Sequence, residues 1–174
     1  MEPLTKWQVF YAVAMSIACA VSYAIITELL VLVHPVDEAT RLLGGMWAVV
    51  ATVFVFRESR TSSLSAGVAR FGATCVSFAL CLVYLLIFPV TGPRIAIVIG
   101  LGAIAMQLLG REDDIVTTGI TSAVVLVVAA MSPDQAWHQP ILRLGDTIVG
   151  IAVGVGCKWC ASYAFYRAVG QPVR

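Results

Sequence analysis

The sequence predicts an all-α membrane protein of six transmembrane helices, arranged as two inverted three-helix repeats. Three observations carry this. Of its 174 residues, 60% are hydrophobic and 12% charged, with a mean hydropathy of +0.93; a soluble domain is usually about 45–50% apolar and about 25% charged. Apolar runs approaching the about 20 residues needed to cross a bilayer recur along the whole chain. Clusters of charge, proline and glycine interrupt them at five places, which leaves six runs.

The first run covers 7–33 and ends at HPVDEATR. Lys6, the apolar stretch and ACA at 18–20 have some of the look of a secretory leader. The run continues to Val33, far beyond the about 7–15-residue core of a leader, so an uncleaved span is predicted. The second run, 42–56, ends at RESRTSS, and the third, 65–88, ends at PVTGPR. The fourth, 94–109, is closed by GREDD, the fifth, 115–131, by SPDQAWHQP, and the sixth covers 141–165. No segment of about 10 residues alternates with the period of a membrane β-barrel. Every loop is short, so residues 1–174 read as one transmembrane domain with no soluble domain.

With the N-terminus inside, one face of the membrane holds Lys6, Arg57, Arg60, Arg70, Arg111, Lys158, Arg167 and Arg174; the other holds Arg41, Arg94 and Arg143. The excess places both termini in the cytoplasm. Trp7, Tyr11, Trp159, Tyr163 and Tyr166 would form an inner aromatic belt, with Tyr84 and Trp137 near the outer face. A net charge of +1 gives no reason to expect a nucleic-acid partner. The cysteines (Cys19, Cys75, Cys81, Cys157 and Cys160) fall within apolar runs, where thiols pack as small hydrophobes; CKWC at 157–160 reads as helix packing. His34 and His138 are too far apart to suggest a shared metal, REDD at 111–114 reads as a solvated turn, and no cofactor is expected. No nucleophile–base pair or metal-ligand spacing suggests an enzyme.

Two stretches read alike. ARFGATCVSF at 69–78 and LRLGDTIVGI at 142–151 align with Arg70 on Arg143, Gly72 on Gly145, Thr74 on Thr147 and Val76 on Val149, an offset of 73 residues. Each opens the last span of a three-span unit, so the halves are predicted as repeats of about 1–90 and 91–170. An odd number of spans inserts the second half upside down, a recurring plan among secondary transporters. Arg70 would stand at the cytoplasmic mouth and Arg143 at the outer one. For either arginine alone, anchoring by snorkelling to the headgroups is the competing explanation. Only the second phrase holds an acid, Asp146, where the first has Ala73.

The stretch GGMWAVVATVFVFRESRTSSLSAGVARFGATCVSFALCLV, with Trp47, Arg70 and Thr74, resembles the second and third spans of the aromatic acid exporter superfamily, which includes the fusaric acid resistance proteins. Ala73 replaces that family's usual glycine. RLGDTIVGI, with Arg143, Asp146, Thr147 and Gly150, resembles the opening of its sixth span. The resemblance covers nearly the whole chain and implies a proton-driven exporter of aromatic carboxylic acids such as fusaric acid. It also implies a bacterial inner membrane setting and, for so compact a unit, a homo-oligomer, with a dimer favoured.

An exporter of such anions needs a cation, an apolar slot and a group that carries a proton. Arginine holds a carboxylate through two parallel hydrogen bonds and keeps its charge. Arg70 and Arg143 are therefore the candidate anion ligands, supported by Thr74 and Thr147, with Trp47 as ring surface on the family resemblance. Asp146 and Glu28 are the only acids within spans, which makes them the candidate proton carriers; Asp146 is preferred because Glu28 is near a helix end. Gly150 and Gly154 read as a packing face. Proton-driven efflux of small organic anions is the leading reading. A passive anion channel and a scaffold without transport remain as alternatives.

Overall fold

A computed structural model describes residues 6–30, 37–57, 60–88, 92–131 and 136–169. These form α1 (Lys6–Ala24), which runs on as a π-helical turn (Ile25–Leu30), α2 (Glu38–Val55), α3 (Arg60–Ile87) and α4 (Gly92–Leu108). A 3-10 turn (Glu112–Asp114) leads into α5 (Ile115–Met131), and α6 (His138–Val169) completes the order. All except α4 are long and apolar enough to cross a membrane; α4 is a shorter apolar helix of 17 residues. The described residues contain no strand. His34, Arg174 and the last residues expected in the first span, 31–33, lie outside the described residues.

The helix ends follow local chemistry. Asp37 caps α2 by accepting the Thr40 backbone N–H at 3.1 Å, and Glu38 in the first turn complements the helix dipole. Pro93 and Pro140 lie in first turns, where a missing N–H breaks no helical bond. After α4, Gly110 adopts a left-handed φ of 67°, Gly110 N–H bonds Gln107 O, and Arg111 N–H bonds Met106 O. That pattern closes a helix, and a side chain at Gly110 would strain it.

Several helix ends differ from the sequence expectation, and α2 begins at Glu38 rather than 42. α3 begins at Arg60, so the RTSS read as loop is helical, and α6 runs from His138 to Val169 rather than 141–165. A helix need not stop where its apolar run stops, because its polar end turns emerge from the hydrocarbon. Ser63 shows the local cause: its buried hydroxyl accepts the Arg57 backbone N–H at 2.9 Å, which fixes the first turns of α3.

Packing divides the chain into two compact units. The first is Met1–Val68 with Asp146–Arg174, and the second is Ala69–Gly145. The first thus holds α1, α2, the opening of α3 and the body of α6. The second holds α4, α5, the opening of α6 and the body of α3. The units cut across the sequential halves because each long helix opens in one unit and continues in the other.

In the first unit α1 packs on α2, where a Cβ at Gly45 would lie 2.8 Å from Tyr23 Cδ2 and Thr27 Cγ2. Tyr11 donates to the Phe56 carbonyl at 2.7 Å. α6 meets α2 at backbone contact: a Cβ at Gly150 would collide with the Ala48 carbonyl oxygen, and one at Gly154 would lie 3.2 Å from Thr52 O. The Thr52 hydroxyl lies 2.9 Å from Ala48 O and 3.1 Å from Gly150 O and shares its proton between them. On α1, Val9, Val13, Ile17 and Val21 form an exposed apolar stripe suited to lipid.

In the second unit α4 packs on α5, with a Cβ at Gly102 3.0 Å from Thr118 Cγ2. Cys81, Val98, Val125 and Leu126 form its core, flanked by Leu80, Tyr84, Leu85 and Ile95. α3 meets α5 through Ser77, whose hydroxyl lies 3.0 Å from both Ala73 O and Thr118 O. One turn further, Cys81 Sγ approaches Ser122 O at 3.9 Å. All five cysteines are free thiols.

Gly150→Ala is expected to push α6 off α2 and cost about 1–3 kcal/mol. Gly156→Ala, where nothing lies within 4 Å, should be neutral or stabilising by up to about 1 kcal/mol. Thermal unfolding in detergent distinguishes the two. Hydrogen bonds from the Thr40 side chain, then its backbone, hold the Asp37 carboxyl below the ordinary carboxylate range. Its contribution is therefore complete above that ordinary range and is lost as pH falls through the lowered value. An acid titration of Asp37→Ala melting should lack that component.

Candidate functional site

The opening of α6 sets Asp146 and Thr147 against α2. Trp47 is 2% exposed and its indole N–H donates to Thr147 Oγ1 at 3.1 Å. Asp146, also buried, lies beside Gly44: a Cβ there would be 3.1 and 3.3 Å from the two carboxylate oxygens. Glycine at 44 is therefore what admits the carboxylate. The structure thus brings Trp47 and Thr147 together and seats Asp146 one turn of α2 away, at Gly44. Glu28 stands apart, exposed on the π-helical turn.

In the second unit Arg70 is 3% exposed and Arg143 1%. Snorkelling requires the guanidinium to reach the surface, and neither does. A cation taken out of water has to be met by polar groups, so burial at this level marks a polar interior around Arg70 of α3 and around Arg143 of α6. Thr74 is buried as well, and its hydroxyl donates to Arg70 O at 2.9 Å within its own helix.

Two features were not recognised in the sequence. Lys158, counted above as a cytoplasmic-side charge, is 1% exposed. Its ammonium lies 4.8 Å from the Trp7 ring, 5.0 Å from Tyr11 and 5.6 Å from Phe56, a desolvated cation held on aromatic faces. Trp7 and Tyr11 thus turn onto Lys158, while Trp159, Tyr163 and Tyr166 remain exposed as a belt would. The legible signal was spacing, since Lys158 continues the Gly150–Gly154 face at i+4. The second feature is an ion pair in the REDD turn: Arg111 Nε and Nη2 both lie 2.7 Å from Asp114 Oδ2. Asp114 is 15% exposed, whereas Glu112 and Asp113 face outward.

A cavity of about 470 Å³ opens between α3 and α4 in the second unit, with Leu80, Val83 and Val98 as walls and Tyr84, Phe88 and Arg94 at one end. The Arg94 guanidinium lies 5.7 Å from the Phe88 ring centroid.

Long apolar helices around buried cations and one buried carboxylate define a multi-pass membrane protein. Over residues 23–157, more than three quarters of its length, the chain matches the family described as fusaric acid resistance protein-like. It belongs to that family, one of membrane transport and resistance proteins. Neither a curated protein nor a solved structure matches it.

The Lys158 cage makes a directional prediction. Lys158→Met removes the buried charge and keeps an apolar chain in place, so thermal stability should stay level or rise. Trp7→Leu leaves the cation desolvated with one ring fewer and should cost about 2 kcal/mol. Unfolding of the two variants in detergent gives the order.

Proposed function

We propose that the protein exports small organic anions, aromatic carboxylates such as fusaric acid among them, across the bacterial inner membrane in exchange for protons. The observation that carries this reading is the burial of Arg70 and Arg143, each within a long helix, in a chain of a fusaric acid resistance protein-like family. The paired N–H donors of each guanidinium suit a carboxylate. Asp146, seated at Gly44, is the proton carrier. Both termini are cytoplasmic, the chain acts as a homo-oligomer, and a dimer is favoured.

The same reading includes two inverted three-helix repeats, and packing supports it. Gly150 and Gly154 approach the carbonyls of Ala48 and Thr52; Ser77 and Cys81 approach those of Thr118 and Ser122. On α3 and α6 the corresponding positions are 73 residues apart, the offset of the two arginine phrases. On α2 and α5 they are 70 apart. Each unit also combines one helix pair with the body of the long helix from the other half. Helices that cross once each alternate in direction, so the openings of α3 and α6 fall at opposite faces.

Proteoliposomes test the function. A proton gradient should drive fusarate accumulation, Arg70→Ala and Arg143→Ala should each reduce it by about tenfold or more, and Asp146→Asn should abolish the response to the gradient while fusarate exchange persists. Conductance that follows the anion's Nernst potential, unaltered by Asp146→Asn, would make the protein a passive channel. Unchanged transport and binding in both arginine variants would overturn any pathway role for them.

A further inference from the structure

The correspondences that support the repeat also assign a residue pair the export reading does not use. Under the 73-residue offset Asp146 corresponds to Ala73, and under the 70-residue offset Gly44 corresponds to Asp114. In the first unit the carboxylate is on α6 and faces a glycine on α2. In the second unit the carboxylate is at the head of α5, and the corresponding position on α3 is a buried alanine. The acid has changed helices and the small residue has changed with it.

Two observations fix the register. A Cβ at Gly72, next to Ala73, would lie 3.0 Å from Arg111 Nη1, and Arg111 holds Asp114. The Arg111 guanidinium that holds Asp114 therefore reaches α3 at the residue next to Ala73. Of the three acids in that turn, the one in register is the one turned inward. The same exchange occurs one turn deeper. In the first unit a hydroxyl on α2, Thr52, reaches the carbonyl of Gly150 on α6; in the second a hydroxyl on α3, Ser77, reaches the carbonyl of Thr118 on α5. Each interface has a carboxylate and a hydroxyl that donates to a carbonyl of the facing helix, contributed from opposite helices in the two units.

We propose that Asp114, held by Arg111, is the second coupling carboxylate of this protein, the counterpart at the opposite membrane face of Asp146. This inference rests on the proton-driven export reading. The charged groups around it are few. Arg111 pairs with it, Glu112 and Asp113 face outward, Arg70 is the nearest charged residue of α3 in sequence, and α4 carries a single charge, Arg94, at its far end. One carboxylate at each face gives a proton a docking point on entry and on exit.

Two measurements test this. In proteoliposomes with fusarate as probe, Asp114→Asn should lower gradient-driven accumulation about tenfold more than it lowers fusarate exchange. Moving the acid across, Ala73→Asp with Asp114→Gly, should restore much of it. Equal loss in both assays, or none, overturns the coupling role. Melting of purified protein in detergent tests the shared seat independently of transport. Ala73→Asp alone puts two carboxylates in one seat and should lower the melting temperature, and Asp114→Gly in the same chain should recover most of the loss. Gly44→Asp with Asp146→Gly should behave alike. Additive effects in the Ala73–Asp114 cycle would show that the residues share no seat. Wild-type liposomes that carry no fusarate overturn the export reading, and the coupling role with it; the seat then stands or falls on the melting cycle.

Discussion

Everything polar in this fold depends on two places where helices touch at backbone distance. In lipid no hydrophobic force draws one apolar helix to another, so association rests on close packing and on hydrogen bonds between helices. Gly150 and Gly154 let α6 meet the carbonyls of α2 in the first unit, and Ser77 and Cys81 do the same for α3 on α5 in the second. Replace those positions with large side chains and the helices separate by ångströms. The Trp47–Thr147 bond at 3.1 Å and the fit of Asp146 against Gly44 would not survive such a shift. Close approach is therefore what makes a polar site possible inside an apolar chain.

The fold was largely legible in the sequence because a spanning helix declares itself by composition alone. Over their described residues all six apolar runs lie in helices, and differences fall at ends, where Glu38–Arg41, Arg60–Ser62 and His138–Pro140 are helical although read as loop. There the deciding facts are local hydrogen bonds, such as that of Ser63 with Arg57, which composition does not carry. The site was legible in part. The arginine phrases marked Arg70, Arg143 and Asp146 because charge inside an apolar run is rare. Lys158 was missed for the opposite reason: a lysine one turn from CKWC's exposed aromatic neighbours looks like an interfacial charge. Only tertiary packing shows three rings closing over it. Gly44 was missed because its meaning is the space it leaves for a residue 102 positions away.

The buried charges along α6 are supported in different ways. Lys158 rests on aromatic faces, which lower the cost of desolvation without fixing direction as a hydrogen bond would. Asp146 occupies a gap shaped by an absent side chain. A cage of rings tolerates small displacements of its cation, whereas a carboxylate seated where even a Cβ on the facing helix would crowd it does not. α6 is thus held loosely at Lys158 and tightly at Asp146, so movement of the helix against α2 is resisted most at the end that carries the acid.

The departures from symmetry are as informative as the symmetry. Thr74 and Thr147 correspond, yet only Thr147 receives an indole N–H, because the counterpart of Trp47 is Thr117. The first unit therefore clamps α6 to α2 through a large side chain, and the second instead closes its acid in an Arg111–Asp114 ion pair. In the first unit an indole bond in a packed interior holds the helix that carries the acid, and in the second an ion pair holds the acid near water, where screening weakens it. The two units are thus held differently: the first by packing and the second by charge. Ionic strength acts on the second and leaves the first unchanged.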